Sequence, residues 1–215
     1  MKGSKVAFEA ILSQTKQYYD EKFGAYGPTP KGVDWNSATT QELRFEKLLK
    51  VCDTSNPFTI NDYGCGYGAL VAYMTGRDYR FEYNGFDLSA HMIDAARKEY
   101  GDLGHCRFSS NEGSLAVADY TVASGIFNVK LRTSYEEWKE YMLHILGKIA
   151  ELSKKGFAFN ALTKYSNPEF MRGDLFYADP LFLFDYCKRN FSRFLAILHD
   201  YPLYEFTMLV RKEGN

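Results

Sequence analysis

The sequence predicts an α/β fold, with a mostly parallel sheet carrying helices on both faces. Three observations predict it. Strand-like and helix-like periods alternate between residues 58 and 162, and such alternation builds a parallel sheet through helical crossovers. A glycine-rich turn, Gly64-Cys65-Gly66-Tyr67-Gly68, joins the first strand to its helix. Two strand-like runs near the end are joined only by Asp200-Tyr201-Pro202-Leu203, and so short a joint makes an antiparallel hairpin.

In chain order, residues 5–24 read as a helix with Phe8, Ile11, Leu12, Thr15, Tyr19 and Phe23 on one face. Gly24, Gly27, Pro28, Pro30 and Gly32 then force a loop. A second helix at 39–53 has Thr39 and Glu42 spaced as a capping box, with Phe45, Leu48, Leu49 and Cys52 on its apolar face. Residues 58–63 form the first strand, 67–76 a helix, and 81–87 the second strand. Ser89 caps a helix that carries Met92, Ile93, Ala96 and Tyr100 on one side. Strands follow at 106–109 and 119–125. Only residues 110–118 lie between these two, so the crossover helix there is shortened. Ser134 and Glu137 form another capping box, and Trp138, Tyr141, Met142, Ile145, Leu146 and Ile149 give the strongest helical period in the chain. Residues 156–162 are the fifth strand. Asp179-Pro180 starts a helix to about residue 190, and the runs 193–199 and 204–211 make the hairpin.

The 215 residues, 46% apolar and 25% charged, fit one soluble globular domain. A net charge of −1 with scattered basic residues leaves no footprint for nucleic acid or an anionic membrane. Cys52, Cys65, Cys106 and Cys187 form no C-x-x-C pair and no metal-like spacing with histidine, which predicts reduced thiols and no metal. Lys2, Lys5 and Glu9 break any apolar leader, and no stretch approaches membrane length, so a cytoplasmic protein is expected.

The glycine turn lets the backbone approach a ligand closely, and the helix beyond it offers unpaired N–H groups. Asp87 ends the second strand at the spacing of an acid that accepts two hydrogen bonds from ribose hydroxyls. Both halves of an adenosine-type site are present. Gly64-x-Gly66-x-x-Ala69 also fits a nicotinamide loop, and that reading stays open. Against it stand Asp62, where dinucleotide binders keep an apolar residue, and the terminal hairpin.

Asp62-x-Gly64-x-Gly66-x-Gly68, the run Gly85-Phe86-Asp87-Leu88-Ser89 with Met92-Ile93, and the closing Glu205-Phe206-Thr207-Met208-Leu209-Val210-Arg211 resemble the class I S-adenosylmethionine-dependent methyltransferases over roughly residues 38–213. The resemblance implies a three-layer, Rossmann-like sheet of seven strands in which only the last is antiparallel. Residues 1–56 would be an N-terminal helical cap or lid and 57–215 the cofactor-binding core of a single 1–215 domain. It implies S-adenosylmethionine as cofactor and S-adenosylhomocysteine as product. Asp62, Gly64 and Gly66 would line the methionine half, and Asp87 would hold the ribose. Leu88 and Met92 would lie against adenine, Asn111 would stand by its amino group or simply form a turn, and Ser124 and Gly125 would lie under the sulfonium. Arg44 would pair with the cofactor carboxylate, as its fork suits, or be a surface arginine.

Methyl transfer from a sulfonium asks the protein mainly to position the acceptor. No Asn-Pro-Pro-Tyr or Asp-Pro-Pro-Tyr follows the fourth strand, which with the near-zero charge favours a small-molecule oxygen or nitrogen acceptor. Three segments could wall its pocket: the region from Tyr18-Tyr19 to Trp35, the Phe127-Asn128 turn, and 165–179. Eight aromatics fall from Tyr165 to Phe191. The substrate candidates are Trp35, Phe127, Tyr165 and Arg172, and the candidates for a catalytic group are Asn128, Tyr19 and His199. The alternatives are a nicotinamide-dependent oxidoreductase and a non-catalytic cofactor-binding module. A monomer and a homodimer are both compatible with the sequence.

Overall fold

A computed structural model describes residues 2–212, with side chains from Phe8 onward. Met1 and residues 213–215, which include the last residue of the resemblance, lie outside the described residues. The strands are β1 (Phe58–Tyr63), β2 (Phe81–Phe86), β3 (Cys106–Ser109), β4 (Ala118–Ala123), β5 (Ser153–Leu162), β6 (Phe194–Leu198) and β7 (Glu205–Arg211). The α-helices are α1 (Lys2–Tyr26), α2 (Ala38–Leu49), α3 (Ala69–Thr75), α4 (Ala90–Tyr100), α5 (Tyr135–Glu151) and α6 (Pro180–Asn190).

One seven-stranded sheet has the order β3-β2-β1-β4-β5-β7-β6. β7 runs antiparallel to both its neighbours, and every other pairing is parallel. The chain builds outward from β1 to β3 and then returns to the other side of β1 as β4. The connections after β1 and β4 therefore diverge, and a crevice opens above the strand ends between them. β1, β4 and β5 are buried on both faces, as strands of a covered parallel sheet must be.

Local chemistry sets most element ends. The Ser89 hydroxyl accepts from Met92 N at 3.3 Å to start α4. Ser134 and Glu137 make the expected reciprocal capping box on α5, and Asp179 caps α6 ahead of Pro180. Two boundaries differ from expectation. The cap of α2 is Ser37, which accepts from Thr40 N at 3.2 Å; Ser37 holds an extended backbone there, while Thr39 already lies inside the first turn. β5 begins at Ser153 rather than 156, because Ser153 pairs with Ala118 across an irregularity in the ladder and the exposed Lys154-Lys155 point away from the core.

Two cores flank the sheet. α2, α3 and α4 cover one face through Phe45, Leu48, Leu70, Met74 and Ile93. The other face needs a helix between β3 and β4, and the connection supplies only a 3-10 turn, Glu112–Ser114. α1 joins that face instead. Ile11 is buried with Tyr63, Phe86 and Tyr141, and Phe8 and Leu12 pack against the same cluster. Phe8 stacks on exposed His144 at 5.1 Å and meets Tyr141 edge-on at 5.8 Å. α1, from Phe8 onward, and α2 are thus built into the two cores. No helix among the described residues is long and apolar enough to cross a membrane.

If α1 completes this core, Ile11→Ala removes a side chain that is 3% exposed and costs about 2–5 kcal/mol. Equilibrium urea unfolding checks this; an unchanged midpoint would mean that α1 contributes no packing.

Candidate functional site

A cavity with about 960 Å³ of empty space, open mouth included, lies above the ends of β1, β2 and β4. Its floor is the glycine turn. Gly64 has φ +86°, and a Cβ there would lie 2.3 Å from Ile126 Cγ2, so both conformation and space require glycine. Gly64 N and Cys65 N donate to Phe86 O at 2.7 and 2.9 Å, which ties the turn to the end of β2. Asp62, Gly64, Gly66, Asp87, Leu88, Met92, Ser124 and Gly125 all line this one cavity.

The two acids differ in how they are held. Asp62 is 3% exposed and accepts from the Tyr83 hydroxyl at 2.8 Å. Burial, the largest influence, pushes its carboxyl up to about 7, against the opposing Tyr83 bond. Asp87 accepts from Gly66 N and from Ser89 N, both at 2.9 Å. Burial raises its pKa too, while the two amides work to lower it. Those amides fix both oxygens in orientation and still leave lone pairs for a ligand.

Tyr19 and Trp35 also line the cavity. Burial, above all, raises the Tyr19 phenol well beyond its usual range, and Asp34, Tyr18 and Asp87 add to the effect. Trp35 stands on Gly125, where a Cβ would lie 2.4 Å from the indole. The Arg44 guanidinium lies over that ring at 3.9 Å. Arg44 Nε donates to the Glu205 carboxylate at 2.9 Å, and Nη1 donates to Thr40 O at 2.8 Å. Glu205 has no exposed surface. It also accepts from Asn160 Nδ2 at 3.3 Å, while Asn160 Oδ1 accepts from Gly125 N at 2.7 Å.

Several residues singled out by sequence lie elsewhere. Arg44 is 7% exposed, absent from the cavity wall and engaged by Glu205, so neither the cofactor carboxylate nor the surface is its place. Asn111 Oδ1 accepts from Gly113 N at 3.0 Å and caps the 3-10 turn, which is its turn reading. Phe127 is fully buried against Phe159 at 5.7 Å. Asn128 Oδ1 accepts from Leu162 N at 3.2 Å and its carbonyl accepts from Phe176 N, so it ties β5 to the following loop. His199 is exposed beyond β6, the strand at the end of the sheet. Tyr165 is 56% exposed, and Arg172 forms an exposed pair with Asp174. None of these seven residues lines the cavity, and the aromatics from 165 to 191 contribute nothing to its wall.

The sequence reading missed Gln41, Tyr67, Tyr63, Phe86, Ile126 and Tyr141, all of which line the cavity. Tyr67 hydroxyl donates to Gln41 Oε1 at 3.2 Å, and Tyr63 hydroxyl donates to Glu112, which Lys148 also holds at 2.6 Å. Thr15, also missed, had a signal: with Tyr19 it sets a hydroxyl into the apolar stripe of α1. Among the described residues, Thr15 Oγ1 and Ser124 Oγ are the buried side-chain polar atoms with no partner. Both residues line the cavity. No group of three or more His, Cys, Asp or Glu that could hold a metal occurs among the described residues.

No family model matches the chain. A Mycobacterium tuberculosis protein named "Putative methyltransferase Rv1506c" is 46% identical over 164 residues, covering 76% of this chain and 99% of its own length. Among solved structures, N-methyltransferase NodS from Bradyrhizobium japonicum, in complex with S-adenosylhomocysteine, aligns with a TM-score of 0.62 at 11% identity over 92% of this chain and 97% of its own. The magnesium protoporphyrin IX methyltransferase of Synechocystis, with bound S-adenosylmethionine, aligns with a TM-score of 0.58 at 14% identity over 81% of each chain. At these identities the two structures speak for the fold alone.

The Glu205 network makes its own prediction. Arg44→Met leaves a buried carboxylate without its counter-charge and costs about 3–5 kcal/mol, whereas Arg44→Met with Glu205→Leu recovers most of that. Urea unfolding of both variants checks it, and equal stabilities for wild type and Arg44→Met would contradict it.

Proposed function

This chain belongs to the methyltransferases and has the fold of the class I S-adenosylmethionine-dependent enzymes, and from that premise we propose that it methylates an oxygen or nitrogen of a small, uncharged molecule. Family membership replaces the nicotinamide reading. The observation that carries the proposal is the convergence of Asp62, the glycine turn, Asp87 and Ser124 on one cavity.

The residues fit S-adenosylmethionine. Asp87, oriented by two amides, has lone pairs for two ribose hydroxyls. Asp62 faces the amino group, and a buried carboxyl held near neutrality ionises when a cation arrives. Gln41 and Tyr67 replace Arg44 as the groups for the carboxylate. Leu88, Met92 and Ile126 make an apolar slot for the base. The unpartnered Ser124 hydroxyl awaits a polar atom of a ligand.

When bound, that cofactor supplies a methyl group activated on a sulfonium. The chain holds the acceptor in line and keeps water away. Trp35, Tyr19 and Phe86 wall the space with aromatic surface. Lys16 is bound to Asp20 at 2.5 Å, and Asp62 and Asp87 serve the cofactor, so little charge remains to recognise an ionic acceptor. The Tyr19 phenol stays protonated and acts as a donor that orients the acceptor rather than as a base. Trp35, Tyr19 and Thr15 from the N-terminal segment wall the cavity over the strand ends of the core.

S-adenosylhomocysteine is expected to raise the melting temperature, with no effect from NADH or NADPH. Failure of S-adenosylhomocysteine to bind would sink the reading. Asp87→Ala is expected to weaken its binding by about tenfold to a hundredfold; unchanged affinity by calorimetry would remove Asp87 from the site.

A pH dependence follows from Asp62. Its raised pKa means that it favours the folded apoprotein most below the unfolded carboxyl value, an advantage lost as pH rises through about 7. A cationic amino group favours the ionised form, so below about 7 binding must expel a proton. Affinity for S-adenosylhomocysteine should rise with pH through that range in the wild type and stay flat and weaker in Asp62→Asn. Parallel pH profiles by calorimetry would contradict the assignment.

A further inference from the structure

We propose that Thr15, on the helix before the sheet, is the side chain that hydrogen-bonds the base of the cofactor. This rests on the cofactor reading above and names a contact that reading leaves open. Leu88 and Met92, which line the cavity beside Asp87, are the apolar surface on which the cofactor reading seats the base of a ligand whose ribose sits on Asp87. The connection after β3 is the place from which the resemblance expected a polar contact to the base. Here Asn111 spends its side chain on Gly113 N, and no residue from 109 to 114 lines the cavity. That connection is also where the crossover helix is missing and α1 lies instead.

α1 is fixed over this end of the cavity from both sides. Phe8 and Ile11 anchor it in the core with Tyr63, Phe86 and Tyr141. Ser89 Oγ donates to Asp20 at 2.5 Å, which pins α1 to the corner that carries Asp87 and Leu88. Thr15 lies between these anchors and lines the cavity, with Leu12 and Tyr19 on the same stripe. A helical threonine commonly satisfies its hydroxyl on the carbonyl one turn back. Thr15 Oγ1 does not: it is buried and bonded to nothing among the described residues. A dry, unpaired hydroxyl is costly, and such costs persist at functional sites where a ligand supplies the partner. An amino group on the base is a partner of the right kind, because a hydroxyl oxygen accepts from it.

The test is a cycle with two ligands and three proteins by calorimetry. The ligands are S-adenosylhomocysteine and its purine-riboside analogue, which lacks the 6-amino group. The proteins are wild type, Thr15→Val and Thr15→Ser. Wild type and Thr15→Ser should prefer S-adenosylhomocysteine by about fivefold to tenfold. Thr15→Val should lose that preference by weakening only for S-adenosylhomocysteine, while its unliganded melting temperature is unchanged or higher. A Thr15→Val protein that keeps the wild-type preference, or binds S-adenosylhomocysteine as tightly, overturns the assignment. Wild type binding neither ligand overturns the cofactor reading itself, an outcome distinct from binding without discrimination.

Discussion

The buried carboxylate of Glu205 organises the site. A charge with no exposed surface must be answered within the protein, and the answer draws four segments together. Arg44 comes from α2, Asn160 from β5, and through Asn160 the amide of Gly125 beyond β4 is fixed. Arg44 and Gly125 then both pack against Trp35. Such a pair adds little net stability over apolar residues of the same shape. What it adds here is position: the loop that roofs the cavity is held to the strand end beneath it by directional bonds rather than by apolar contact alone.

A second constraint comes from what the chain lacks. Without a helix between β3 and β4, one sheet face would expose Tyr63 and Phe86. α1 covers it, and in doing so brings Leu12, Thr15 and Tyr19 to the cavity. One packing requirement thus makes the N-terminal helix a wall of the site. The same helix end is tied to the start of α4 through Asp20 and Ser89, so the Asp87 corner and the helix that walls the cavity are mechanically joined.

Much of this was legible in the sequence, for local reasons. Alternating periods gave the strands, hydroxyl and acid caps gave most helix starts, and the turn from Asp62 to Gly68 with Asp87 located the cavity. The short 110–118 connection announced a shortened crossover helix, which the structure reduces further to a 3-10 turn. What covers the bare face depends on contacts between residues far apart in the chain, and no local period reports those. Arg44 shows the limit well. Its fork suits a carboxylate, and it found one 161 residues away in Glu205 rather than on a ligand. Asn128 likewise serves the backbone, and the aromatic run from 165 to 191 includes surface residues such as Tyr165 and Phe170. Residue type revealed the kind of bond each would make, while the fold decided with whom.

The cavity across the ends of β1, β2 and β4 is the proposed seat of the methyltransferase's nucleoside cofactor. A crystal structure with S-adenosylhomocysteine tests it most directly. The expected result has ribose hydroxyls on Asp87, the amino group at Asp62 and Trp35 over the sulfur end. A nucleoside bound away from Asp87, or a cavity left empty at saturating ligand, would contradict it.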